Sequence, residues 1–227
     1  GESPFSDYAY RSVIAPDTRM AIAKAVLARG GYVASPSEEA YIRHLAELRE
    51  EDSWALLDSI DPLLIEGALP RLRSYFSRGI VCGMPVQDLS AAALALLSLA
   101  PIISVLHEGR ALLAAVDTIE LHLTPLFQAV IAVNLSRRAK RGWIECEEQP
   151  APLVLVTHSL IVLAALDKDV REGISDKAVG VSDEWRLKSD EIRMIILWRD
   201  PESKEIKQEE HEGLVLPTYL REYQRLL

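Results

Sequence analysis

Between Asp88 and Glu108 the chain runs from Leu89 to Leu106 without one charged side chain. A run of that length must be buried, either in a protein core or in a bilayer, because it approaches the ~20 apolar residues a spanning helix needs. Its composition favours a core. Ala and Ser are frequent, Pro101 interrupts it, and acidic residues flank it where orienting Lys or Arg would be expected. The stretch from Pro150 to Leu166 is also apolar but contains His158, and the helices expected between the two carry Asp117, Glu120 and His122. The reading is therefore a helical core, with membrane association the lesser alternative.

The 227 residues, 49% hydrophobic and 26% charged, are ordinary for one or two globular domains and exclude disordered, collagen-like and disulfide-scaffold classes. A chain of this size buries roughly 70% of its unfolded surface without a metal or disulfide. Cys82 and Cys146 have no zinc-ligand spacing around them, and so low a count fits the cytoplasm or another reducing compartment. A net charge of -9, with both signs interspersed throughout, offers no extended nucleic-acid surface. The chain opens on Gly-Glu-Ser instead of Met and reads as a piece of a longer protein.

Punctuation divides the sequence. Residues 1–16 lack helical periodicity and read as an arm. From Asp17, Met20, Ala23, Val26 and Leu27 recur at helical spacing and stop at Gly30-Gly31. Ser35, Pro36 and Glu38 form a capping box ahead of a long helix with Tyr41, Leu45 and Leu48 on one side. Asp61-Pro62 opens another segment, Asp88 caps the uncharged run, RALLAAVDTIELHL follows Gly109, and Thr124-Pro125 leads into a helix that Gly142 should stop. This is a bundle over residues 17–144. Beyond a boundary near Glu145–Pro152, residues 152–227 read as a small α+β part. PLVLVTHSLIVLAAL fits either a strand then a helix or one buried helix; EWRLK and IRMIILWR are strand candidates. Asp200-Pro201 turns the chain into KEIKQEE as a hairpin, GLVLP adds a strand, and Thr218 caps a final helix. The fold class is mostly α: a multi-helix bundle with a small C-terminal α+β part containing a β-hairpin.

No constellation here is a strong catalytic signature. His44 and Glu47 lie one helical turn apart but lack the second Glu-x-x-His helix of a di-iron bundle. Asp117, Glu120 and His122 form a polar cluster in an apolar setting, which reads as the wet side of a helix. Ser159, Asp200 and His211 follow hydrolase order, but Thr157 and Ile161 stand where a nucleophile elbow requires glycines. Asp190 with Glu205-x-Lys207 resembles the Asp…Glu-x-Lys arrangement of restriction-like nucleases, which implies a divalent metal held by two carboxylates and a lysine assisting water. Glu205, however, sits in a highly charged run where that family has a buried strand end. Arg137, Arg138, Lys140 and Arg141 form a basic patch at a helix C-terminus, where the helix dipole favours cations without any ligand.

The function these features favour is a non-catalytic interaction or assembly module. It is expected to bind a protein partner or a second copy of itself, with no cofactor and no metal. The contact face is expected from Leu94, Leu97, Ile102, Leu126 and Val130, joined by Trp198 from the hairpin edge. The alternatives are a metal-dependent nuclease using Asp190, Glu205 and Lys207, and a sensor holding an apolar ligand between the helices from Leu94 to Leu126.

Overall fold

The computed structural model describes residues 12–27, 32–36, 38–50, 91–107, 113–145 and 152–214. The expected segments around Asp61 and Asp88, the Gly30-Gly31 stop, both cysteines and the final helix after Thr218 lie outside them.

Helices dominate. Strand β1 (Ser12–Ala15) leads into α1 (Arg19–Leu27) and α2 (Glu39–Glu50); α3 (Ala91–Leu97) and α4 (Ala100–His107) precede strand β2 (Leu113–Val116). Then come α5 (Pro125–Glu145), strand β3 (Leu153–Leu155), α6 (Leu160–Glu172) and a single turn, α7 (Asp176–Val179), before the antiparallel hairpin of β4 (Arg193–Arg199) and β5 (Ile206–Glu212). The chain is thus mostly helical, with a small C-terminal α+β part that carries the hairpin.

Several punctuation signals act as expected. Glu38 Oε2 accepts from both the Ser35 amide and the Ser35 hydroxyl at 2.8 Å, closing the start of α2. Tyr41 and Leu45, one turn apart, are buried beneath it. The uncharged run splits into α3 and α4 just ahead of Pro101, which has no amide to donate to the preceding turn. At that break the Ser98 carbonyl accepts from the buried Tyr41 hydroxyl at 2.6 Å. Burial raises the Tyr41 phenol far above its usual range, so it stays a donor.

The sheet is the main departure from expectation. Strands β1, β2 and β3 pair in parallel with β2 central, so the sheet takes one strand from each of the stretches 1–16, 17–144 and 152–227. Val13, Ala15, Ala114 and Val116 point into the core against α4, while Ile14 and Val154 on the opposite face remain exposed. Within RALLAAVDTIELHL, Leu113–Val116 is therefore a strand followed by an irregular turn, not a helix. The registered pairing to two distant strands overrides the helix preference of an Ala/Leu run. The open choice in PLVLVTHSLIVLAAL resolves to strand then helix. EWRLK forms no strand: Asp183–Trp185 is a 3-10 turn in which Ser182 Oγ accepts from the Glu184 amide at 3.3 Å. Helix α5 also runs through Gly142 to Glu145.

Among the described residues, no helix is long and apolar enough to cross a membrane.

Candidate functional site

Four of the residues expected to form an apolar contact face, Leu94, Leu97, Ile102 and Val130, are buried in the core cluster. Helical spacing identifies an apolar stripe but not what covers it, and here α4, α5 and the sheet cover one another. Leu126, at the start of α5, stays exposed, as does Leu160 at the start of α6.

The basic cluster is internal as well. Arg137, Arg138 and Lys140 are buried. Every N–H of the Arg137 guanidinium has an acceptor. Nε and Nη2 reach Asp169 at 3.2 and 2.5 Å, Nη1 reaches Asp176 at 3.0 Å and the Val181 carbonyl at 2.8 Å, and Nη2 also reaches the Ile174 carbonyl at 2.8 Å. Burial pulls the Arg137 pKa down, but the hydrogen bonds and charge of Asp169, with Asp176 and Asp183, outweigh it and hold the proton more tightly than usual. Burial, then the Arg141 charge, lowers Arg138 to about 10. Lys140 Nζ bonds Glu191 at 2.7 Å and the Arg186 carbonyl at 2.9 Å. Arg137 and Lys140 thus fasten the segment after α6 to α5, while Arg138 donates to Asn134 one turn back on α5 at 3.0 Å, and these three side chains present no phosphate-binding face.

The C-terminal edge of the parallel sheet, the place where open α/β sheets usually bind ligands, gathers the polar residues that the sequence had set on a helix and at a strand end. Glu120 accepts from the Thr157 hydroxyl and from the His158 amide, both at 2.7 Å. Ser159 Oγ donates to Gln128 at 2.6 Å. Buried Arg19 ties the edge together by donating to the carbonyls of Asp117 at 2.6 Å and Thr118 at 3.0 Å. Thr118 and His122 adopt positive φ of 50° and 58°, a conformation that costs a side-chain-bearing residue free energy. Ser159 is engaged with Gln128, and the expected Asp200 and His211 lie on the hairpin, so no hydrolase triad forms at this edge.

The hairpin presents the exposed apolar surface. Its alternation and register place Ile195 and Leu197 of β4 on the same face as Ile206 of β5, and these side chains are 56%, 64% and 78% exposed. Covering them is worth about 3–6 kcal/mol at the usual value per buried aliphatic side chain. Trp198 is exposed on the opposite face. An isolated two-stranded hairpin is marginal in water, and among the described residues no third strand joins this one. The turn is secured by Asp200, whose Oδ1 accepts from the amides of Glu202 and Ser203 at 2.8 and 3.0 Å and whose Oδ2 pairs with Lys207. The Lys207 contact, then the Ser203 and Glu202 amides, keep the Asp200 carboxyl below the usual range.

Lys207 is thus committed to Asp200. Asp190 lies in a 3-10 turn before β4, at the base of the hairpin, whereas Glu205 lies at its tip. The seven-residue strands between them span about 20 Å, so these groups are not brought together around one metal. Among the described residues no group of three or more His, Cys, Asp or Glu side chains could hold a metal ion.

Comparison with protein-family models, with curated proteins and with solved structures finds no match to this chain.

The open face of Ile195, Leu197 and Ile206 was hidden in the sequence because Met194 to Trp198 is apolar without interruption. The available signal was the very polar return strand, which cannot cover an apolar face.

Proposed function

We propose that the chain is a protein-interaction module whose docking surface is the β4–β5 hairpin. The observation that carries this reading is the clustering of Ile195, Leu197 and Ile206, all exposed, on one face of a two-stranded sheet. Apolar residues gathered on one surface mark contact sites in water-exposed proteins. The hairpin also offers two strand edges to a partner. Leu126 and Leu160 extend the apolar character of the surface at the sheet edge but are separate from the hairpin in sequence and register.

Photo-crosslinking in cells of the source organism tests the reading. A photoreactive side chain at Leu197 is expected to give a discrete adduct, either with a second copy or with another protein. The same group at exposed Glu172 on α6 is expected to give none. Absence of any discrete adduct from positions 195, 197 and 206 refutes the reading.

A further inference from the structure

The hairpin's own geometry narrows what its edge can take, and this inference rests on the docking reading above. Two hydrogen bonds fix which residues turn their backbones outward. The Asp200 amide donates to the Glu205 carbonyl at 2.9 Å, and the Gly213 amide donates to the Ile192 carbonyl at 2.8 Å. Hydrogen-bonded and non-bonded pairs alternate along an antiparallel ladder. With the observed register, the pairs Trp198/Lys207, Ile196/Glu209 and Met194/His211 face inward. The backbone groups of Ile206, Gln208, Glu210 and Glu212 consequently point away from β4, along the outer edge of β5. The side chains of these four residues lie on the same face as Ile195 and Leu197.

That edge is acidic. Glu209, Glu210 and Glu212 stand within four consecutive positions, all exposed, and only Lys207 opposes them in sign along β5. Glu210 has a partner in Arg193 at 3.0 Å, and Glu209 lies 3.0 Å from the His211 imidazole; no such partner is found for Glu212 among the described residues. A second copy is the poorer occupant. Symmetric antiparallel pairing of β5 with β5 sets glutamate against glutamate when centred on Glu209 or Glu210, and like charges directly opposite are destabilising; centred on Gln208 it sets Lys207 against Glu209 but leaves Ile206 opposite Glu210. Pairing β4 with β4 about Ile196 sets Arg193 against Arg199. Pairing β4 with β5 is not closed and would propagate into a filament.

We propose that the outer edge of β5 takes up an extended, basic segment of a foreign protein as a third, antiparallel strand. Main-chain bonds run to Ile206, Gln208, Glu210 and Glu212. Cationic side chains stand opposite Glu212, Glu210 and Glu209, and an aliphatic one meets Ile206 beside Leu197. Read in its own direction, the segment follows the order Lys-x-Lys-Lys-x-x-Ile. The chain's net charge of -9 also favours approach of a cationic partner.

The test uses the full chain and a labelled, end-capped peptide, Thr-Lys-Thr-Lys-Lys-Thr-Thr-Ile, followed by fluorescence anisotropy. Saturable binding that weakens with added salt is expected. N-methylation of the peptide residues opposite Gln208 and Glu212, whose amides would face β5, should abolish it; N-methylation of the residue opposite Glu209, whose amide faces away, should leave it nearly intact. Replacing the peptide lysines by glutamates should remove binding, and Glu210→Lys with Glu212→Lys in the chain should weaken it by about tenfold, the worth of two cross-strand charge pairs. The N-methylated peptides probe the native chain, so the test stands even where the charge-reversed variant fails to fold. No binding, equal binding of the acidic peptide, or equal loss from both methylation patterns overturns strand addition at this edge. The crosslinking from Leu197 decides the broader docking reading independently, because it detects a partner of any chemistry.

Discussion

Replacing Arg137 by Met should destabilise the chain by about 3–5 kcal/mol, the cost of leaving a buried charge without its partner. The side chains of Arg137 and Asp169 are 0% and 5% exposed, and two of the guanidinium's five hydrogens go to Asp169. Asp176 and Asp183 are half exposed and can rehydrate, so each adds no more than about 1 kcal/mol. The carbonyls of Ile174 and Val181 also lose their donors. Asp169→Leu alone should cost less, since Arg137 keeps its other acceptors, but it strands the Ile174 amide that donates to Asp169 at 3.0 Å. The double variant should be destabilised by at least about 2 kcal/mol less than the sum of the singles, because the stranded charge is then gone. Urea unfolding followed by circular dichroism on the four proteins measures this coupling. Additivity to within about 0.5 kcal/mol would refute the account of Arg137 as the hub that pins the segment after α6 to α5.

Two further predictions concern the same region. Glu191 is pushed up by its own burial, but the Lys140 contact, the Lys188 amide and the charges of both lysines bring it below the ordinary 4.5. Because the folded value is depressed, its contribution is present above 4.5 and is lost as the pH falls through the lower folded value. Glu191→Gln should therefore cost about 1–3 kcal/mol at neutral pH, and thermal melts across pH should show this gap closing as the pH is lowered past 4.5. Gly173 ends α6 at φ +81°, and a β-carbon there would lie 2.7 Å from the Arg186 guanidinium. Gly173→Ala should cost about 1–3 kcal/mol in the same unfolding assay, and a neutral effect would mean that the turn relaxes freely.

What the sequence made legible was local. The Ser35–Glu38 box, the proline that divides the uncharged run, the Thr124-Pro125 start of α5 and the Asp200-Pro201 turn each rest on bonds between residues a few positions apart, and such signals survive folding unchanged. The parallel sheet was not legible because LAAV carries no period of its own. It becomes a strand only when flanked by SVIA and LVL, which arrive from distant parts of the chain. Burial of Arg137, Arg138 and Lys140 was equally hidden. The acceptors of Arg137 and Lys140, among them Asp169, Asp176, Val181 and Glu191, are all more than thirty residues downstream, and four cations within five positions look solvated until those acceptors are placed. The candidate surface was half visible: the hairpin could be read, but not which of its faces stays open.

The pairing of Ser12 with Leu113 has a consequence for how the protein is made. At a synthesis rate of about 5–20 residues per second, β1 leaves the ribosome roughly 5–20 s before β2 exists. During that interval Val13 and Ile14 lack the strand that will pair with them. Helices α1 and α2 can form by local bonding in the meantime, but the sheet cannot begin until the central strand emerges, and β3 follows later still. The slow step of maturation is accordingly set by chain order. Moving β1 to follow the chain's last residue through a linker, by circular permutation, would let β2 appear first and reverse the order in which the sheet is assembled.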